Sequence, residues 1–85
     1  MQAFVLMARG RYQWEYGNFA NAQRMLEEAI RLDGTLAEAH FHLGRTHGEL
    51  GRNREACAEL ARYAELAPGV HESDLASERS RLSCR

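Results

Sequence analysis

Lysine is absent from this sequence of 85 residues. All 11 basic residues are arginine and 12 residues are acidic, so the formal charge is only -1. Without an excess of positive charge, neither nucleic acid nor an anionic membrane is expected as a partner. No stretch approaches the roughly 20 apolar residues of a membrane span, so the sequence predicts a soluble chain.

Cysteine is also scarce, with only Cys57 and Cys84. Two thiols do not make the disulfide framework of a small secreted domain, so a reducing compartment and a cytoplasmic location are expected. Neither cysteine has an evident base or resolving partner, and no glycine-rich loop follows a strand to bind phosphate. The sequence therefore predicts no enzyme active site and no cofactor.

Three neighbouring histidines raise the question of a metal site. His40 and His47 are two helical turns, about 10.5 Å, apart along a helix axis, and His42 points to another face. One ion cannot bridge these rings, so no metal is predicted. If His40 and His47 are half-buried between helices, burial lowers their pKa and stability falls below about pH 6.5.

The only proline, Pro68, closes the segment around which the chain is organised. Residues 37–68 read as a helix, a tight turn at Gly51 and a second helix, with small residues where the two helices meet. Proline disfavours helical geometry in the residue before it and cannot continue the hydrogen-bond ladder, so the second helix ends there. This segment is one unit of a helical solenoid.

An internal repeat extends the same pattern towards the N-terminus. A shift of 34 residues aligns eight positions: Ala3 with Ala37, Gly10 with Gly44, Arg11 with Arg45, Glu15 with Glu49, Gly17 with Gly51, Ala22 with Ala56, Leu26 with Leu60, and Leu32 with Leu66. Because one offset aligns all eight pairs of positions, the sequence indicates two copies of the same helical hairpin.

The period and the small residues resemble the tetratricopeptide repeat over about residues 3–68. Both copies keep the glycine and first alanine of that pattern, where the lack of large side chains lets helix axes approach closely. Other consensus positions hold polar or different aromatic residues: Arg9, Gln13, His40, His47 and Tyr63. The resemblance implies an all-α solenoid with repeats at 1–34 and 35–68 and a capping helix or tail at 69–85.

Local signals predict helices over about residues 2–16, 19–33, 35–48 and 53–67. Gly17 is expected to end the first helix in a left-handed conformation, and the Asn18 side chain to cap the second. Thr35 and Glu38 form a T-x-x-E capping box for the third helix. The serine-rich segment after Pro68 is predicted to be a solvating cap on the solenoid, and the alternative is a frayed tail.

The resemblance implies a binding groove lined by the first helix of each repeat. Its positions are occupied here by Phe4, Met7, Arg11, Trp14 and Glu15 and by Glu38, Phe41, His42, Arg45 and Glu49. We expect a peptide or helix to bind at Met7, Arg11, Trp14, Phe41 and Arg45, with the arginines binding carboxylates or carbonyls. The alternative is that Trp14 and Phe41 fill contacts between repeats. The lysines and asparagines of the carboxylate-binding branch of the family are not reproduced.

The N-terminal helix has more apolar residues than one hairpin partner can cover. Phe4, Val5 and Leu6 are expected to form an edge through which two copies meet, as a homodimer or larger array, or which a neighbouring repeat covers. The expected function is therefore a non-enzymatic protein-interaction module, namely an adaptor, co-chaperone or assembly factor. A self-associating scaffold is the alternative.

Overall fold

The computed structural model describes residues 2–84, which form five α-helices and no strand. The helices are α1 (Gln2–Glu15), α2 (Phe19–Leu32), α3 (Ala37–Glu49), α4 (Asn53–Leu66) and α5 (Glu72–Arg81). The predicted all-α fold of antiparallel hairpins is confirmed, and four helix bounds agree with prediction to within about two residues. Within 2–84, no helix has the length and apolar character needed to cross a membrane.

The two hairpins pack through equivalent contacts. A Cβ atom built on Gly10 would lie 2.7 Å from Leu26 Cγ, and one built on Gly44 would lie 3.0 Å from Leu60 Cδ2. The 34-residue shift relates both pairs. The glycines are therefore required because a leucine of the second helix occupies the space that a side chain would fill.

The turns inside the hairpins repeat as well. Gly17 and Gly51 have φ angles of +80° and +78°. The amide of Asn18 donates to the carbonyl of Gln13 at 2.8 Å, as the amide of Arg52 does to that of His47. This is the Schellman pattern, in which a left-handed residue lets the chain satisfy the last free carbonyls of a helix. The predicted role of Gly17 is confirmed.

Two predicted helix caps are wrong. The side chain of Asn18 makes no capping hydrogen bond and instead donates from Nδ2 to Gln13 Oε1 at 2.9 Å. α3 begins after Leu36 without a side-chain cap. The hydroxyl and amide of Thr35 both donate to Asp33 Oδ1, at 2.6 and 3.0 Å. A nearby carboxylate that can accept both donors therefore replaces the capping box.

Two groups of apolar contacts join successive units. The first seam, where α3 packs on the first hairpin, consists of six buried residues: Met7, Ala22, Leu26, Ala29, Ala39 and Leu43. The second seam, where α5 packs on the second hairpin, has three: Ala56, Leu60 and Leu82. Both are continuous with the interior of a hairpin.

The C-terminal segment forms a helix rather than a frayed tail, and its position is fixed covalently. Cys57 of α4 and Cys84 form a disulfide, with Cα atoms 5.6 Å apart. The expectation that neither cysteine has a partner is wrong, and the argument for a reducing compartment loses its basis because disulfides persist in oxidising surroundings. The cytoplasmic location and the repeat boundaries 1–34, 35–68 and 69–85 stay predictions.

Candidate partner-binding groove

Two adjoining cavities form a groove along α1, α3 and α5. The larger, of about 420 Å³, is lined by Phe41, Arg45, Asp74, Ser77, Glu78 and Arg81. The smaller, of about 170 Å³, is lined by Arg11, Glu38, Phe41, His42, Tyr63, His71 and Asp74. Phe41 and Asp74 line both cavities, so these residues mark the place where the two halves of the groove meet.

Arg45 connects the three helices of the groove. Its guanidinium carbon lies 3.7 Å from the centre of the Trp14 ring of α1. Its Nε lies 3.6 Å from a carboxylate oxygen of Glu78 in α5, which is too long for a hydrogen bond. Burial lowers the pKa of Arg45, and the charges of Glu78 and Glu15 oppose that shift. Arg45 is therefore engaged by the chain itself, and Trp14 is half-buried beneath it.

Aromatic rings line the smaller cavity. The ring centres of Phe41 and Tyr63 are 5.0 Å apart, and those of Phe41 and His42 are 5.8 Å apart. Phe41 is half-buried, whereas Tyr63 is 1% exposed. Burial raises the pKa of Tyr63, and the carboxylates of Glu38 and Asp74 raise it further. Both carboxylates therefore contribute negative potential at this end of the groove.

His42 is a buried histidine of the smaller cavity. It is 8% exposed, and burial lowers its pKa to about 4, with Arg45 and Arg11 contributing. His40 and His47 are buried rather than half-buried. The ring nitrogens of His40 lie 2.6 Å from Glu59 Oε2 and 2.9 Å from the Gly34 carbonyl. The acid sensitivity expected of His40 and His47 stays a prediction.

The structure separates the predicted groove residues. Met7 is 5% exposed and belongs to the first seam, so its predicted place on an open surface is wrong. It corresponds to Phe41 under the 34-residue shift, and only Phe41 lines the groove. Arg11 is exposed and forms an ion pair with Glu15 at 3.3 Å. Arg11, Phe41 and Arg45 therefore line the groove, Trp14 contacts Arg45 without lining either cavity, and Met7 is buried.

The predicted N-terminal edge is largely exposed. Phe4 is 61% exposed and Val5 46% exposed, whereas Leu6 is half-buried. Val5 and Leu6 also line a surface cavity with Gln2 and Arg9. Residues 2–84 leave Phe4 and Val5 exposed, whereas Leu6 packs partly against the buried residues of the first seam.

Sequence reasoning missed six residues that line the groove: Tyr63, His71, Asp74, Ser77, Glu78 and Arg81. Tyr63 was visible as a departure from the repeat pattern in α4, and its aromatic ring was the available signal. Asp74 and Glu78 gave no signal, because their position depends on how the chain returns after Pro68. His71 directs that return from the left-handed region, with a φ angle of 52°.

Comparison with known proteins identifies a family. A sequence model of the tetratricopeptide repeat matches residues 6–77. No curated protein matches the chain. Repeats of this kind typically serve protein–protein interaction rather than catalysis. Together with the hairpin repeat, the match means that the chain belongs to the tetratricopeptide repeat family.

Proposed function

We propose that the chain is a non-enzymatic protein-interaction module that holds a peptide or helix of a partner protein in the groove. The observation that carries this proposal is the half-buried ring of Phe41, which lines both cavities. A large aromatic side chain that is left half-covered at the centre of a groove is a common anchor for a partner. Adaptor, co-chaperone and assembly-factor roles all use such a groove, and no nucleic acid, membrane or cofactor is part of the proposal.

Random dodecapeptides displayed on phage and selected on the immobilised protein provide the test. We expect Phe41→Ala to weaken the selected peptides by about tenfold or more, because it removes a central aromatic contact. Arg11→Ala should weaken them less, since Arg11 lies at the rim. Leu32→Ala is the matched control, because Leu32 is 45% exposed on α2, outside the residues that line the groove. Equal binding by the Phe41 and Leu32 variants would contradict the proposal.

A second function, self-association, is supported by the exposed face of α1. Under the 34-residue shift, Val5 and Tyr12 correspond to Ala39 and Thr46, which are fully buried in the same chain. Val5 and Tyr12 are instead 46% and 56% exposed. The face that joins α3 to the first hairpin therefore has an uncovered counterpart on α1, and we propose that a second copy covers it through Phe4, Val5 and Leu6.

Sedimentation velocity tests the self-association directly. We expect a concentration-dependent dimer or larger species that Phe4→Ser with Val5→Ser converts to monomer. Val70→Ser, at an exposed apolar residue outside α1, should leave the association unchanged. A monomer throughout the micromolar range would exclude this second function and would leave the groove proposal standing.

A further inference from the structure

We propose that the smaller cavity of the groove binds a basic side chain, the guanidinium or ammonium group of an arginine or lysine in the partner. This inference rests on the proposed peptide-binding function and adds the residue chemistry that the groove selects. It also reverses the expectation from the sequence, in which arginines of this chain bind carboxylates of the partner.

The charges of the groove are the first argument. Its guanidinium groups already face carboxylates of the same chain: Arg11 faces Glu15 at 3.3 Å, Arg45 faces Glu78 at 3.6 Å, and Arg81 faces Glu78 at 2.8 Å. Glu38 and Asp74 have no arginine partner among residues 2–84, and Asp74 has only the exposed ring of His71 at 4.0 Å. A cation from the partner would pair with these two carboxylates, which outnumber Arg11, the one arginine that lines the smaller cavity.

The shape and lining of the cavity are the second argument. Its volume of about 170 Å³ suits the end of one side chain, and Phe41 and Tyr63 supply aromatic surface. Guanidinium and ammonium groups bind favourably over aromatic rings, and a planar guanidinium also stacks on them. The chain itself contains such a contact nearby, where Arg45 lies 3.7 Å from the centre of the Trp14 ring.

His42 is the third, independent observation. It lines the same cavity, is 8% exposed, and its Nε2 has no hydrogen-bond partner in the described part of the chain. A buried polar atom without a partner is costly, and in the tautomer that carries its proton on Nδ1 this nitrogen would accept a hydrogen bond from a ligand. Because burial lowers the pKa of His42 to about 4, the ring is neutral at pH 7 and does not repel a cation.

Small probes test the charge preference without knowledge of the partner. The protein is titrated with ethylguanidinium chloride, with its neutral counterpart ethylurea, and with sodium acetate at constant ionic strength, while NMR follows Phe41, His42 and Tyr63. We expect saturable shifts with ethylguanidinium and an affinity for ethylurea at least about threefold weaker, because only the former makes charge-assisted hydrogen bonds. Equal binding of ethylurea, or stronger binding of acetate, would overturn the inference.

Matched variants locate the site. Glu38→Gln and Asp74→Asn should each weaken ethylguanidinium binding by about threefold to tenfold, since each removes one charged acceptor. Glu55→Gln and Glu72→Gln are the controls, because these carboxylates also lie in the first turns of helices but line neither cavity. Unchanged binding in both groove variants, or equal losses in the controls, would overturn the assignment.

A peptide experiment separates this inference from the proposed function. Each arginine or lysine of a groove-binding dodecapeptide is replaced in turn, arginine by citrulline and lysine by norleucine. We expect one replacement to weaken binding markedly, and this loss should disappear in the Glu38→Gln, Asp74→Asn double variant. If peptides bind through Phe41 but no such replacement matters, the groove binds peptides and the inference about basic side chains is wrong. If no peptide depends on Phe41, the proposed function fails as well.

Discussion

The two seams of this solenoid join similar units by different means. The first seam contains two leucines and a methionine that are buried together with small residues of the first hairpin and α3. In the second seam the C-terminal segment contributes one buried residue, Leu82, which directly follows α5, and one partly buried residue, Leu75 of α5. A disulfide and ion pairs hold the helix as well. The first seam is thus held by apolar burial, whereas the polar ten-residue helix of the second is held by a covalent bond as well.

The largest expected loss of stability is that of a variant in the first seam. Leu26 is fully buried, so Leu26→Ala should lower the free energy of unfolding by about 3 to 4 kcal/mol. Urea denaturation measures this change, and Leu32→Ala at a 45% exposed position is the control. Leu82→Ala at the second seam should cost less, about 2 kcal/mol, because fewer neighbours surround it. Equal losses at Leu26 and Leu82 would remove the distinction between the seams.

The next effect concerns the disulfide of the second seam. Cys57 and Cys84 are 27 residues apart, and closing such a loop stabilises a fold by about 3.5 kcal/mol in the chain-entropy description. Replacing both cysteines with serine should therefore increase hydrogen exchange in α5 and leave exchange in α1 to α3 little changed. Dithiothreitol should have the same effect on the parent protein and none on the double variant. Uniform loss of protection along the chain would show that the seams do not open separately.

Acid should lower the free energy of unfolding through His42, which lines the smaller cavity. The folded-state pKa of His42 is about 4, below its ordinary value of 6.5, so the unfolded chain binds a proton first as pH falls. Its stabilising contribution is therefore complete above pH 6.5 and decreases towards pH 4, by about 2 kcal/mol between pH 7 and pH 5. Thermal unfolding across this range measures the decrease, which His42→Gln should abolish and His71→Gln should not. A decrease that persists in His42→Gln would assign it to another group.

The smallest expected loss of stability concerns the ion pair between Arg45 of α3 and Glu78 of α5. Glu78→Gln removes the carboxylate beside Arg45 and should cost at most about 1 kcal/mol, because both side chains are partly exposed. Trp14 fluorescence should change, since the guanidinium above its ring loses a partner. Glu65→Gln, which breaks an exposed pair with Arg62, is the control and should leave Trp14 unchanged. An unchanged Trp14 signal in Glu78→Gln would mean that α5 does not influence the first seam.

The repeated hairpin could be predicted from the sequence because its requirements are local. A glycine at a helix crossing and a glycine with positive φ at a turn each impose a residue type, so Gly10, Gly17, Gly44 and Gly51 reveal the pattern. The predicted capping box was wrong for a related reason. The carboxylate of Asp33, two residues away, accepts the hydrogen bond of the Thr35 hydroxyl, and residue type alone does not decide which local hydrogen bond a threonine makes.

The site was predicted only in part because burial depends on neighbours distant in sequence. Met7 and Phe41 occupy equivalent positions, yet α3 covers Met7 and a smaller helix leaves Phe41 half-covered. The disulfide and the carboxylates of Asp74 and Glu78 depend on the direction of α5. That direction follows from positive φ angles at Gly69 and His71, and a histidine gives no sign of such a conformation.

Leu26 packs on Gly10 and Leu60 packs on Gly44 so closely that the residue at one position of each pair constrains the residue at the other. A Cβ atom at Gly44 would lie 3.0 Å from Leu60 Cδ2, so alanine there requires Leu60 to shift by a few tenths of an ångström, and a smaller residue at position 60 removes that requirement. A library that randomises Gly44 alone should return glycine almost exclusively, whereas one that randomises Gly44 and Leu60 together should also return alanine paired with a smaller aliphatic residue. In sequences that share this fold, substitutions of the glycine and of the leucine that packs on it are therefore expected to occur together.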